Sequence, residues 1–148
     1  DESTLTGESY PAEKGAGAFL NNKRLRVASR KDIHEALVCC GIPHRGRSDH
    51  VLARAEIAAM QGKAIGIRRL GSATLELAYV AAGRFDALWE RNLSPWDMAA
   101  GILMIREAGG FIADCDGGAN PMDTGNILAA NADLLPQMQA ALKEAAKA

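Results

Sequence analysis

The sequence predicts an α/β fold, a layered sandwich of helices around a mixed β-sheet. Two observations carry this. Short apolar runs bounded by Gly, Pro or Asn alternate along the chain with longer segments of helical period. Hydrophobic residues make up 48% of the 148 positions and charged residues 24%, enough apolar material to bury a sizeable core. The length fits one domain of ordinary size. A change of pattern near Ser29 divides an N-terminal segment and hairpin (1–28) from an α/β body (29–148).

The elements follow in order. "DESTLTGESYP" is polar and turn-like. "GAGAFLNNKRLRVAS" reads as two short strands around Asn21 and Asn22, a pair suited to a hairpin turn. "ALVCCGI" is an apolar run closed by Gly41 and Pro43, so a buried strand, on which Cys39 and Cys40 point to opposite faces. Both read as small buried apolar residues. A helix follows over about 49–61, closed by Gly62, with Val51, Leu52, Ala55, Ala58 and Ala59 on its apolar face.

"KAIGIRRL" is the next strand, and its period of two lets at most one of Arg68 and Arg69 face a given site. "SATLELAYVAAG" is a helix with Ser72 as N-cap and Gly83 just past its end. "FDALWE" is a strand, "PWDMAAGILMIREAGG" a helix, and "GFIADCD" and "NILAAN" are strands. "ADLLPQMQAALKEAAKA" is the last helix, where Pro136 is tolerable only in the first turn.

Charge narrows the partners. Seventeen basic and 18 acidic side chains leave a net charge of -1. Such a balance gives no general attraction to nucleic acid or to an anionic membrane. No apolar run reaches the length of a membrane span, and no signal-peptide pattern opens the chain. Cys39, Cys40 and Cys115 are odd in number and lack paired spacing, which fits a reducing cytoplasm.

Asp97 is the first candidate for chemistry. Ser94 is a good N-cap, Pro95 suits the first helical position, and Asp97 falls third, the acidic slot of a capping box. Glu90 ends the preceding strand, so both acids lie at the sheet edge where open α/β folds bind ligands. The residues alone leave cap and functional acid both open for Asp97. In the basic loop "PHRGRSDH", His44, Arg45, Arg47 and His50 match no standard ligand spacing and read as a solvated loop. His34 receives no role.

The run "RRLGSATLELAYVAAGRFDALWERNLSPWDMAAGILMIREAGGFIAD" resembles the C-terminal half of the inositol monophosphatase family. "AEKGAGAFLNNKRLRVAS" is similar to that family's middle hairpin, and "TGNILAAN" to its last strand and turn. The signature from Trp96 to Gly101 carries the likeness. The resemblance implies a phosphate monoesterase that works with Mg²⁺ and a metal-activated water. It makes Asp97 a magnesium ligand and Glu90 a partner of an inositol hydroxyl. Gly71, Ser72 and Ala73 would form a substrate-contacting turn at a helix start. No residue is assigned as the catalytic group.

The family's other metal ligands sit in a Gly-Glu-Glu-like segment and in Asp-Pro-Ile/Leu-Asp-Gly-Thr, and neither run occurs here. The expectation is therefore a C-terminal fragment, inactive alone, which associates with itself as a homodimer or higher oligomer to cover uncovered apolar surface. Residues 1–11 also resemble the actuator-domain loop of P-type ATPases, which implies a water-positioning role for Glu8. "ESYPAEKG" is similar to a phosphatase-family run as well, and a recombined chain (a chimera) would account for both likenesses.

Overall fold

The computed structural model describes residues 2–3, 7–46, 49–118 and 120–147. At its start β1 (Glu2–Ser3) pairs antiparallel with β2 (Glu8–Ser9). Strands β3 (Ala12–Glu13), β4 (Gly17–Leu20) and β5 (Lys23–Arg24) form a small antiparallel sheet. The predicted turn joins β4 to β5: Asn21 and Asn22 have φ of 45° and 69°. Positive φ at both central residues is what a tight hairpin of right-handed twist requires.

The body is built on β6 (Leu37–Cys40), β7 (Gly66–Arg68), β8 (Ala87–Glu90), β9 (Phe111–Asp114) and β10 (Ile127–Ala130). They stand in the order β7-β6-β8-β10-β9. Strand β6 runs parallel to both β7 and β8, while β10 is antiparallel to its neighbours β8 and β9. The sheet is thus mixed, as predicted. Among the described residues five α-helices accompany it: α1 (His50–Gln61), α2 (Ala73–Ala81), α3 (Pro95–Glu107), the short α4 (Pro121–Thr124) and α5 (Leu134–Ala145).

Alternation along the strands sorts the core into two halves. Cys39, Leu88, Ile127 and Ala129 face α2, α3 and the small sheet, where Leu77, Met98, Ile105 and Tyr10 pack. Val38, Cys40, Ala87, Trp89, Leu128 and Ala130 face the other way, against Met60, Leu134 and Met138 of α1 and α5. Each such buried Leu or Met side chain contributes about 1.5–3 kcal/mol. The hairpin segment is tied in: the Val27 amide donates to Ala108 O at 3.1 Å, and Asn131 Nδ2 donates to Ala28 O and Arg30 O.

Helices α2 and α3 pack closely because of one residue. A Cβ at Gly101 would lie 2.4 Å from Leu77 Cδ1 and 2.6 Å from Leu77 Cβ, so only glycine lets the backbones approach this far. That contact sets the two helix starts side by side.

Three expectations need correction. The buried side of α1 is marked by Glu56 and Met60, while Val51 is 74% exposed. The periodicity missed this because Glu56 is buried by an ion pair to Arg91, 35 residues away. Ser72 occupies the N-cap position of α2 without a side-chain cap bond. Helix α4 was not foreseen, being a single turn that Asn120 caps at the Met122 amide. Pro136 does fall in the first turn of α5. Among the described residues no helix is long and apolar enough to cross a membrane.

Candidate functional site

The carboxyl ends of β6, β7 and β8 lie at one edge of the sheet, and the loops that leave them surround a cavity of about 380 Å³. This is the place where ligands of open α/β folds bind. Gly71, Ser72, Ala73, Glu90 and Asp97 all line it. His44 and Arg69 line it too, whereas Arg68 turns away and donates to Ile67 O. The period-two argument for the two arginines therefore holds.

Asp97 does what its sequence slot suggested. Its Oδ2 accepts the Ser94 amide at 2.9 Å, the acidic half of a capping box. Its own amide donates to Ser94 O at 3.0 Å. One carboxylate oxygen thus aims the side chain, and Oδ1 is the oxygen left to face a ligand. Cap and ligand-facing acid are compatible roles here.

Glu90 depends on a glycine. A Cβ at Gly41 would lie 2.2 Å from Glu90 Cδ, Cγ and Oε1, so the glutamate side chain passes directly over the Gly41 backbone. "CCGIP" therefore carries its glycine because a side chain from the neighbouring strand occupies the space.

Helix α2 begins at the same cavity. Gly71 sits at φ +82°, a conformation that L side chains rarely adopt. The turn before the helix is held by Glu76, which sequence reading did not single out. Glu76 Oε1 accepts the Leu70 amide at 2.5 Å and the Gly71 amide at 3.3 Å. Burial raises the Glu76 carboxyl above its ordinary value, against the lowering effect of those two amides. Thr74 Oγ1 donates to Asp97 O at 3.1 Å, tying the two helix starts together.

A second charged group walls the cavity. Arg91 Nε donates to Glu56 Oε1 at 2.8 Å, and its two terminal nitrogens hold Asp116 at 2.9 and 2.8 Å. That fork keeps the Asp116 carboxyl below the usual carboxylate range. Both acids already engage Arg91, so it shapes the wall. Arg69 and His44 are the basic groups more open to a ligand.

Other candidates lie elsewhere. His34 Nδ1 is paired with Lys63 O, and His50 starts α1 outside the cavity lining. Arg45 is exposed, and Arg47 lies outside the described residues. Cys39, Cys40 and Cys115 are buried free thiols. Burial pushes Cys40 and Cys115 up to about 12, which fits inert apolar residues.

Positions 1 and 4–6 of the actuator-like run lie outside the described residues. Glu8, within it, accepts from Arg84 at 2.7 and 2.5 Å and from the Tyr10 hydroxyl at 2.5 Å. That carboxylate serves an ion pair outside the cavity lining, and a water-positioning role for it finds no support.

The acids present fit magnesium only in part. Mg²⁺ takes near-octahedral oxygen coordination and is held through carboxylates, waters and substrate phosphate. Asp97 Oδ1 suits one such position. Among the described residues no group of three or more His, Cys, Asp or Glu side chains is placed to hold a metal ion. The donor set is one corner of a metal site.

Fold and cavity together define an α/β protein that places carboxylates and helix starts at the carboxyl edge of a mixed sheet, as sites for small polar ligands do. The chain belongs to the inositol monophosphatase family, whose family model matches residues 3–147. The inositol-1-monophosphatase of Rhizobium meliloti (strain 1021) is 54% identical over 126 residues, which cover 85% of this chain and 47% of that protein. Nus factor SuhB of Pseudomonas aeruginosa is 46% identical over 128 residues, covering 84% and 46%. The crystal structure of extragenic suppressor protein suhB from Bartonella henselae superposes with a TM-score of 0.90 at 44% identity, covering 95% of this chain and 54% of that one. The chain thus spans about half the length of the curated relatives it matches. Because the match starts at residue 3, the opening segment reads as part of this family, and neither a chimera nor an ATPase piece is supported.

Proposed function

We propose that this chain supplies the substrate-facing wall and one metal carboxylate of a magnesium-dependent phosphate monoesterase acting on an inositol phosphate. The observation that carries this reading is the meeting of Gly71, Ser72, Ala73, Glu90 and Asp97 around one cavity. Asp97 Oδ1 would hold the cation, Glu90 would accept from a ring hydroxyl, and the start of α2 would face the anionic group with its first amides. When bound, magnesium supplies Lewis-acid activation of phosphate and water. With one suitable carboxylate among the described residues, the chain alone is read as inactive.

The second reading is a non-catalytic folded module. Relatives of comparable identity carry both an inositol-1-monophosphatase and a Nus factor name, so likeness alone does not choose between turnover and another role.

The test is Mg²⁺ titration by calorimetry, together with phosphate release from inositol 1-phosphate, on the parent protein and Asp97→Asn. Weak Mg²⁺ binding lost in the variant, without turnover by either protein, is the expected result. Unchanged Mg²⁺ affinity in Asp97→Asn would remove the metal role. Magnesium-dependent turnover by the parent would overturn the inactive reading.

Self-association belongs to the same proposal. Trp96 at 80%, Val51 at 74%, Ile65 at 71% and Phe111 at 50% exposure leave apolar surface for a second copy to cover. Light scattering should give a dimer or larger, and a clean monomer would refute it. A cytoplasmic setting is proposed on the three free cysteines.

A further inference from the structure

Glu76 is a buried acid that holds the turn before α2 without lining the cavity itself. It sits in the first turn of α2 and is 1% exposed. Its Oε1 accepts two successive amides that precede the helix, Leu70 and Gly71. Among the described residues its Oε2 meets no hydrogen-bond partner. A carboxyl buried with one oxygen unmatched costs stability, and an apolar residue of similar volume would be favoured there on stability alone. Its place in the fold explains its presence better.

Two further facts bear on that place. Ser72 stands at the N-cap of α2 and makes no side-chain cap bond. The first amides of a helix have no intrahelical partner. At α2 Ser72 leaves them uncapped, on a turn that Glu76 of the same helix holds in shape. Thr74, the second residue of the same helix, donates to Asp97 O, so a shift of this turn would reach the opposite wall.

We propose that Glu76 is a positioning residue: by gathering the Leu70 and Gly71 amides it fixes the Gly71–Ala73 turn so that the free helix-start amides of α2 face an anionic ligand. The inference rests on the phosphate-binding reading of the cavity. It assigns Glu76 no contact with the ligand. Its effect runs through the turn, which Gly71 can form because of its positive φ.

The experiment uses the full chain with Glu76→Met, which keeps volume and removes the acceptor, and Glu76→Gln, which keeps an acceptor and removes the charge. Thermal melts establish that both fold. Inositol 1-phosphate binding is followed by calorimetry, and exchange of the Leu70 and Gly71 amides by NMR. Expected are an unchanged or higher Tm for Glu76→Met, faster exchange at Leu70 and Gly71, and at least a tenfold loss of affinity. Glu76→Gln should restore both readouts, which a purely structural role would not require. Full affinity in Glu76→Met overturns the proposal. No binding by the parent overturns the functional reading instead. Exchange then decides the positioning: faster Leu70 and Gly71 amides uphold it, and unchanged amides overturn it.

Discussion

Helices α2 and α3 start beside the same cavity, and a first-turn acid braces each, yet the two acids are used differently. The start of α3 is closed from within its first turn: Asp97 takes the Ser94 amide, and the acid that caps also faces the cavity. The start of α2 is also braced by an acid of its own first turn, but Ser72 leaves the cap unmade and Glu76 reaches past it to the Leu70 and Gly71 amides. The difference separates two tasks. At α3 a negative side chain is aimed, which suits a cation. At α2 the N-cap side chain leaves the first backbone donors uncapped, which suits an anion.

The largest expected effect comes from separating the two starts. Gly101→Ala would drive a methyl group into buried Leu77 and should destabilise the fold by roughly 1–3 kcal/mol, read as a lower urea midpoint. An unchanged midpoint would mean that the helices can slide apart without loss.

A smaller effect should follow Gly71→Ala. The space beside Gly71 is open, so the cost is the positive φ alone, about 1 kcal/mol. Ligand affinity should fall with it, while the Ser94 amide at the other helix start keeps its exchange rate. Equal disturbance at both starts would erase the contrast.

The smallest effect concerns pH. The folded-state value of Glu76 is raised above its unfolded value, so the folded state holds the proton more tightly. Its contribution to stability is then fully present below the ordinary glutamate range and is lost as pH rises through the raised value. Glu76→Gln should flatten that slope in urea midpoints measured across mildly acidic pH. A slope that persists in the variant would assign the titration to another group.

Much of this was legible in the sequence. The alternation of strands and helices follows from local periodicity, and the hairpin from two consecutive asparagines. The cap geometry of Asp97 follows from the spacing of Ser94, Pro95 and Asp97. The grouping of Glu90 and Asp97 follows from a strand end and a helix start at one sheet edge. What escaped depended on partners outside the helix concerned. The buried side of α1 is chosen by the Glu56 pair with Arg91, and no pattern inside the helix reports it. Glu76 received no role from the sequence, because its partners, the Leu70 and Gly71 amides, lie on a turn before the helix whose shape the pattern does not report. One signal was present: α2 is apolar almost throughout, and a lone acid inside "TLELAYVA" asks for a buried partner.

The paired thiols of β6 have a practical use. Cys39 belongs to the core half beneath α2 and α3, and Cys40 to the half beneath α1 and α5. In variants that keep only one of them and lack Cys115, a thiol reagent becomes a reporter for one side of the sheet. Labelling rates at the two positions would show separately which layer opens first, and whether loosening the cavity side leaves the opposite side closed.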